Sequence, residues 1–293
     1  MLKKGRAERQ SQSYKSGAYC FQQSHDTPTI EEGIFLELQL IPIEQFQSFL
    51  ICAARIGALI GSIPVFSSGQ TPAKFRTGLA IVLSLLLFPV LEKYIPTQQL
   101  TTLGLGVLIT NEALLGFLVG LIARLIFAAV ELGGTVIGYQ MGFAAANVMD
   151  PQSQHQISLM SQFQNIFAIL IFLALNIHHL FLEAIVYSYQ ILPPGYLDFS
   201  GGAVPFLMEL TSDMFVLGVK FSAPILAVLL LSGLVLGIMS RVFPQLNVFM
   251  LSFPLNIGLS FLVIGLTLDM VANLLGREFD ALGEQFLYLF QLL

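Results

Sequence analysis

The stretch "GVKFSAPILAVLLLSGLVLGIMSRVFPQLNVFMLSFPLNIGLSFLVIGLTL" covers residues 218–268. It reads as two apolar helices joined by the turn "SRVFPQLNVF". Pro244 lacks an N–H and disfavours helix at Phe243, so the first helix ends there. Arg241 puts a cation at that helix end, where it complements the dipole. Gln245 and Asn247 offer side chains to the backbone groups freed at the turn. Pro254 is expected to interrupt or kink the returning helix. No strand-period alternation competes, so the class is all-α.

The same grease extends along the chain. Its 293 residues are 55% apolar and 11% charged, with mean hydropathy +0.79. Soluble domains carry about 25% charged residues. The surroundings are therefore lipid, or an assembly that replaces lipid. A helix needs about 20 apolar residues to cross a bilayer. About six segments qualify or nearly do: 46–64, 79–91, 103–130, 162–192, 214–239 and 248–275. Arg55, Glu112, Arg124, Lys220 and Asp269 lie inside them. Such charges are costly against hydrocarbon and mark contact with protein or water. Glu112 and Arg124 are too far apart to pair within one helix, so each is expected to pair between helices.

Glycines recur four apart: Gly57/Gly61, Gly116/Gly120, Gly134/Gly138/Gly142 and Gly233/Gly237. Residues four apart share a helix face, and small ones admit a second backbone. One such set opens "GTVIGYQMGFAAANVMDPQSQHQ" (134–156), which then turns polar at an Asp150-Pro151 break. Gly134, Gly138, Gly233 and Gly237 are the candidate helix-packing positions.

Other classes fall away. Of 13 basic residues, 5 precede residue 16, which leaves no patch for a phosphate backbone and so no nucleic-acid partner. No P-loop, GxSxG or HExxH occurs, so no enzyme and no cofactor are expected. His178 and His179 are adjacent and project about 100° apart on a helix, which does not suit one metal. Cys20 and Cys52 have no partners at metal-ligand spacing. Residues 1–33 are polar and basic without the apolar core of a secretory signal, and read as a disordered tail or a mis-assigned start. A stand-alone membrane transporter is the competing class. The breaks at 142–156 and 241–256 do not match each other as the duplicated halves of such folds would.

Five blocks carry a resemblance. They are "ARIGALIGSIPVFSSGQTPAKFRTGLA" (54–80), "QMGFAAANVMDPQS" (140–153), "LIFLALNIHHLFLEAIVYSYQILPPG" (170–195), "VKFSAPILAVLLL" (219–231) and "SRVFPQLNVFMLSFPLNIG" (240–258). In order and spacing they resemble the FliR family, the R subunits of the flagellar type III export gate, related to the T subunits of virulence injectisomes. The likeness covers roughly residues 44–280. It departs at Ile177, where the family usually has Gly, and at Asn256, where it often has Lys.

The resemblance implies a non-enzymatic gate subunit in the bacterial inner membrane, in the flagellar basal body. A virulence injectisome gate is the alternative within the family. It implies a P-like part at 34–200 and a Q-like hairpin with a C-terminal helix at 201–293. Implied partners are the P and Q subunits (FliP, FliQ), FlhB-type and FlhA-type components, and unfolded flagellar substrates. It implies a channel plug within 142–156: Gly142, Phe143, Ala144, Ala145, Ala146, Asn147, Val148, Met149, Asp150, Pro151, Gln152 and Ser153. The chemistry suits a seal, with small residues for tight packing and Phe143 and Met149 for adaptable bulk. Lys220, Arg241, Pro244, Gln245 and Asn247 are candidates for subunit contact or for closing the hairpin turn.

Overall fold

A computed structural model of the chain describes residues 43–67, 71–95, 101–142, 159–195, 202–245 and 247–293. Every regular element among them is helical. They are α1 (Ile43–Ser62), a single turn at Pro64–Ser67, α2 (Ala73–Leu91) with a 3-10 turn at Glu92–Tyr94, and α3 (Thr102–Met141). Then come α4 (Leu159–Ala174), α5 (Ile177–Ile191), α6 (Ala203–Val242), α7 (Val248–Asp280) and α8 (Leu282–Leu292).

Local chemistry sets the ends. Thr101 starts α3 by accepting a bond from the Gly104 N–H at 3.3 Å. Gly142 ends it at φ 94, a conformation that glycine takes freely. Asn247 starts α7 by accepting from the Met250 N–H at 3.3 Å. Pro254 does not interrupt α7, which runs unbroken from Val248 to Asp280. It lies in the second turn, where its missing N–H removes one ladder bond.

The segment expected at 162–192 is two helices bent by 65°. Asn176 stands at the bend with φ 55. Asparagine is among the few non-glycine residues that enter this region readily. With Asn176 supplying the turn, Ile177 has no need to be glycine, and its side chain is buried in the core.

Helix α3 is the element on which α6 and α4 pack most extensively. Its glycines mark the contacts. A Cβ on Gly116 would lie 2.1 Å from the Arg55 carbonyl oxygen, and one on Gly120 would lie 1.8 Å from Ser62 Oγ. One on Gly133 would lie 3.0 Å from the Gly218 carbonyl, and one on Gly134 2.6 Å from Ser161 Cα. So α1, α6 and α4 each touch α3 close to its backbone. Gly57, Gly61, Gly233 and Gly237 have open space instead. Around α3 the main core closes with a ring cluster of Phe127, Phe172, Phe181, Phe279 and Phe286, centroids 5.3–5.9 Å apart.

Four helices are long and apolar enough to cross a membrane, or five if the bent α4–α5 pair is one span. The six expected segments are thus reduced, because α1 is not among them. It carries Arg55 at its centre and faces other helices of the chain. The spans differ in what covers them. In α3, 61% of the most apolar window is buried within the chain; in the helix at 73–94, only 11% is. The outer side of α2 is instead exposed at Phe75, Leu85 and Leu86. The protein is an all-α, membrane-associated chain.

Contact at Gly116 predicts opposite signs for two similar changes. Gly116→Ala should destabilise by about 1–3 kcal/mol through overpacking. Gly57→Ala, with room for its methyl, should be neutral or stabilise by up to about 1 kcal/mol through helix propensity. Unfolding of the two variants in one mild detergent checks the contrast.

Candidate functional site

Two arrangements stand out. The first is a buried polar centre. Arg55 on α1 is 2% exposed and Glu112 on α3 is fully buried. Arg55 Nε–H donates to Glu112 Oε2 at 2.6 Å. Its Nη1 donates to Ser188 Oγ at 2.9 Å and its Nη2 to the Leu192 carbonyl at 3.2 Å. The guanidinium carbon lies 3.8 Å from the centre of the Tyr189 ring, a cation–π contact. One cation thereby ties α1, α3 and the end of α5 together. Arg124, by contrast, is exposed on α3 and has no ion pair among the described residues. The expected inter-helix pairing is seen for Glu112, and Arg124 has none among the described residues.

The second arrangement is the end of α3. Met141 and Ile137 on α3 are buried with Met160 on α4, Ile225 and Leu229 on α6, and Val263 and Ile264 on α7. The two ends of the segment between α3 and α4 therefore leave from one four-helix junction. Ser161 Oγ donates to the Glu131 carbonyl at 3.1 Å and secures the start of α4. The Gly142 N–H bonds back to the Gly138 and Tyr139 carbonyls. A Cβ on Gly142 would lie 2.6 Å from the Phe253 ring, so the end of α3 packs against that aromatic. The plug candidates Phe143 to Ser153 lie outside the described residues.

The remaining candidates are distributed as follows. Gly134 sits against α4 and Gly138 is buried, whereas Gly233 and Gly237 face open space. Lys220 is exposed and shares a cavity of about 240 Å³ with Asp213, Glu278 and Gln285. No ion pair forms there among the described residues. Arg241, Pro244 and Gln245 are exposed at the hairpin turn, and Asn247 caps α7. Asn256 accepts from Ser232 Oγ at 2.9 Å and pins the two hairpin helices together. His178 and His179 do have their rings in contact, centroids 4.3 Å apart, yet no group of three metal-ligating side chains exists among the described residues.

Sequence reasoning missed the contact of Gly133 with Gly218, because neither sits in a spacing-four glycine pair there. It also missed Ser188 and Tyr189 as partners of Arg55. The available signal was the cost of an arginine in an apolar helix, which demands a carboxylate from another helix.

Comparison with known proteins identifies the family. The family model described as bacterial export proteins, family 1, matches residues 46–282. Flagellar biosynthetic protein FliR of Bacillus subtilis is 38% identical over 227 residues, 76% of this chain and 86% of the relative. The chain belongs to the FliR family of bacterial export proteins. Other FliR proteins match similarly. That of Pectobacterium carotovorum is 32% identical over 78% of this chain and 89% of its own. That of Escherichia coli is 29% identical over the same shares. The FliR match begins at residue 46 and so takes in Arg55, Glu112, Ser188 and the α3–α4 junction.

Removing one partner of the buried pair strands the other. Arg55→Met should cost about 3–5 kcal/mol, and adding Glu112→Leu should recover most of it. A double-mutant cycle on thermal unfolding of the purified protein measures the coupling.

Proposed function

We propose that the chain is a non-enzymatic subunit of the flagellar type III export gate, helping to form and plug the channel through which unfolded flagellar proteins are secreted. Membership of the export family and the names of its FliR relatives support the flagellar assignment. The subunit works with P and Q subunits and with FlhB-type and FlhA-type components in the bacterial inner membrane, within the basal body. Residues 34–200 act as the P-like part and 201–293 as the Q-like hairpin.

One observation carries the sealing role of 142–156: Met141 and Met160 share one buried cluster with the middle of the α6–α7 hairpin. The helix ends on either side of that segment are therefore packed into one junction. The segment's composition of glycine, alanine, phenylalanine and methionine suits a compressible stopper, and the polar residues after Pro151 suit a wet path.

The open faces also fit an assembly. Gly233 and Gly237 leave a strip of α6 on which a second helix can approach, and Leu230, Leu231 and Leu234 are exposed beside it. Lys220 and Arg241 then serve as subunit contacts on the same helix.

Deleting residues 147–153 should let ions or small solutes leak across the membrane. Membrane-potential dyes in cells carrying the assembled mutant complex read this out. Unchanged permeability in that complex refutes the sealing role.

A further inference from the structure

Three carboxylates, Glu183 on α5 with Asp280 and Glu284 near the C-terminus, collect around one feature. Between α5 and α8 lies an open groove of about 340 Å³. Leu180, Phe286 and Phe290 line it, and Tyr187 and Leu287, 44% and 40% exposed, stand at its edge. Glu183, Asp280 and Glu284 complete the lining. Among the described residues, no lysine, arginine or histidine lines this groove. None of the three carboxylates makes an ion pair among the described residues. The nearest cation in sequence, Arg277, lines a different groove with Lys220 and Pro224, between α6 and α7.

The two properties of the groove constrain what can fill it. Its apolar lining favours an occupant that removes Leu180, Tyr187 and Leu287 from water. Its carboxylates oppose any occupant that desolvates them without a cation. Three like charges around one pocket also repel each other more strongly as water leaves. An anionic lipid headgroup adds to that repulsion. A lysine or arginine answers both demands, since its stem packs on apolar surface while its head meets carboxylates. We infer that the α5–α8 groove receives a segment of a partner protein in which a lysine or arginine stands within one helical turn of a large apolar residue. The surface is separate from the segment at 142–156, so the inference does not depend on the sealing role.

Photocrosslinking in cells tests it. Benzoylphenylalanine replaces Leu287 in the full chain, and Leu266, 77% exposed on α7, serves as the control position. After irradiation of membranes, the attached peptide is identified by mass spectrometry. The expected adduct at position 287 is a protein peptide with a lysine or arginine within four residues of the attachment point. Combining Glu183→Lys with Glu284→Lys should reduce the adduct at least about tenfold, a loss of roughly 1.4 kcal/mol. Changing the partner's basic residue to glutamate should restore it. Both carboxylates are exposed, so the fold should tolerate their loss. The milder pair Glu183→Gln and Glu284→Gln, checked for helix content, should give a smaller decrease. The inference is overturned by an adduct with lipid, with another part of this chain, or with a peptide that lacks a basic residue. No adduct above the control, or one indifferent to charge reversal, overturns it equally.

Discussion

The architecture depends on how closely other helices approach α3. At Gly116, Gly120, Gly133 and Gly134 the space that a side chain would fill is taken by another element. Without a hydrophobic driving force between helices in lipid, such contact supplies much of the association energy, through van der Waals packing. Close approach has a second effect. It brings α1 near enough for Arg55 to reach Glu112, and near enough to the end of α5 for Ser188 and Leu192 to complete the guanidinium's bonds. The glycines set the distance, and the buried ion pair then fixes which turn of α1 meets which turn of α3.

Much of this was legible in the residues. The hairpin at 218–268 showed its turn through Pro244, and its helices through unbroken apolar runs. Gly116 and Gly120 advertised a close contact by spacing alone. Other features were not legible, for physical reasons. The partner of Arg55 lies 57 positions away, and hydropathy holds no record of which acid meets which base. The bend at Asn176 interrupts a run that is apolar on both sides, because one left-handed residue needs no change in hydropathy. Gly57 and Gly233 share the spacing of Gly116 but meet nothing among the described residues. A glycine pair reports that a face is smooth, not that something lies on it. Lys220 reads first as a subunit contact, and it is exposed on α6. The plug candidates beyond Gly142 remain a matter of composition and of their anchors.

The helices also bear on where the chain resides. At about 1.5 Å per residue, a 40-residue helix such as α3 or α6 is about 60 Å long. The hydrocarbon core of a bilayer is about 30 Å thick. Each helix is therefore about twice as long as that core is thick. In α3 the chain itself covers much of the apolar surface. In α6 it does not, and Leu230, Leu234, Ile238 and Val242 stay exposed. A protein built this way fits an assembly that supplies its own apolar surroundings, in keeping with an export-family chain that works with other components.

That uncovered surface has a consequence for the cell. A newly made copy without neighbours presents long rows of leucine, valine and phenylalanine that neither water nor a single bilayer can fully cover. Exposed apolar surface of that extent is a general liability for aggregation and proteolysis. The apolar faces thus make the stability of each copy depend on its neighbours.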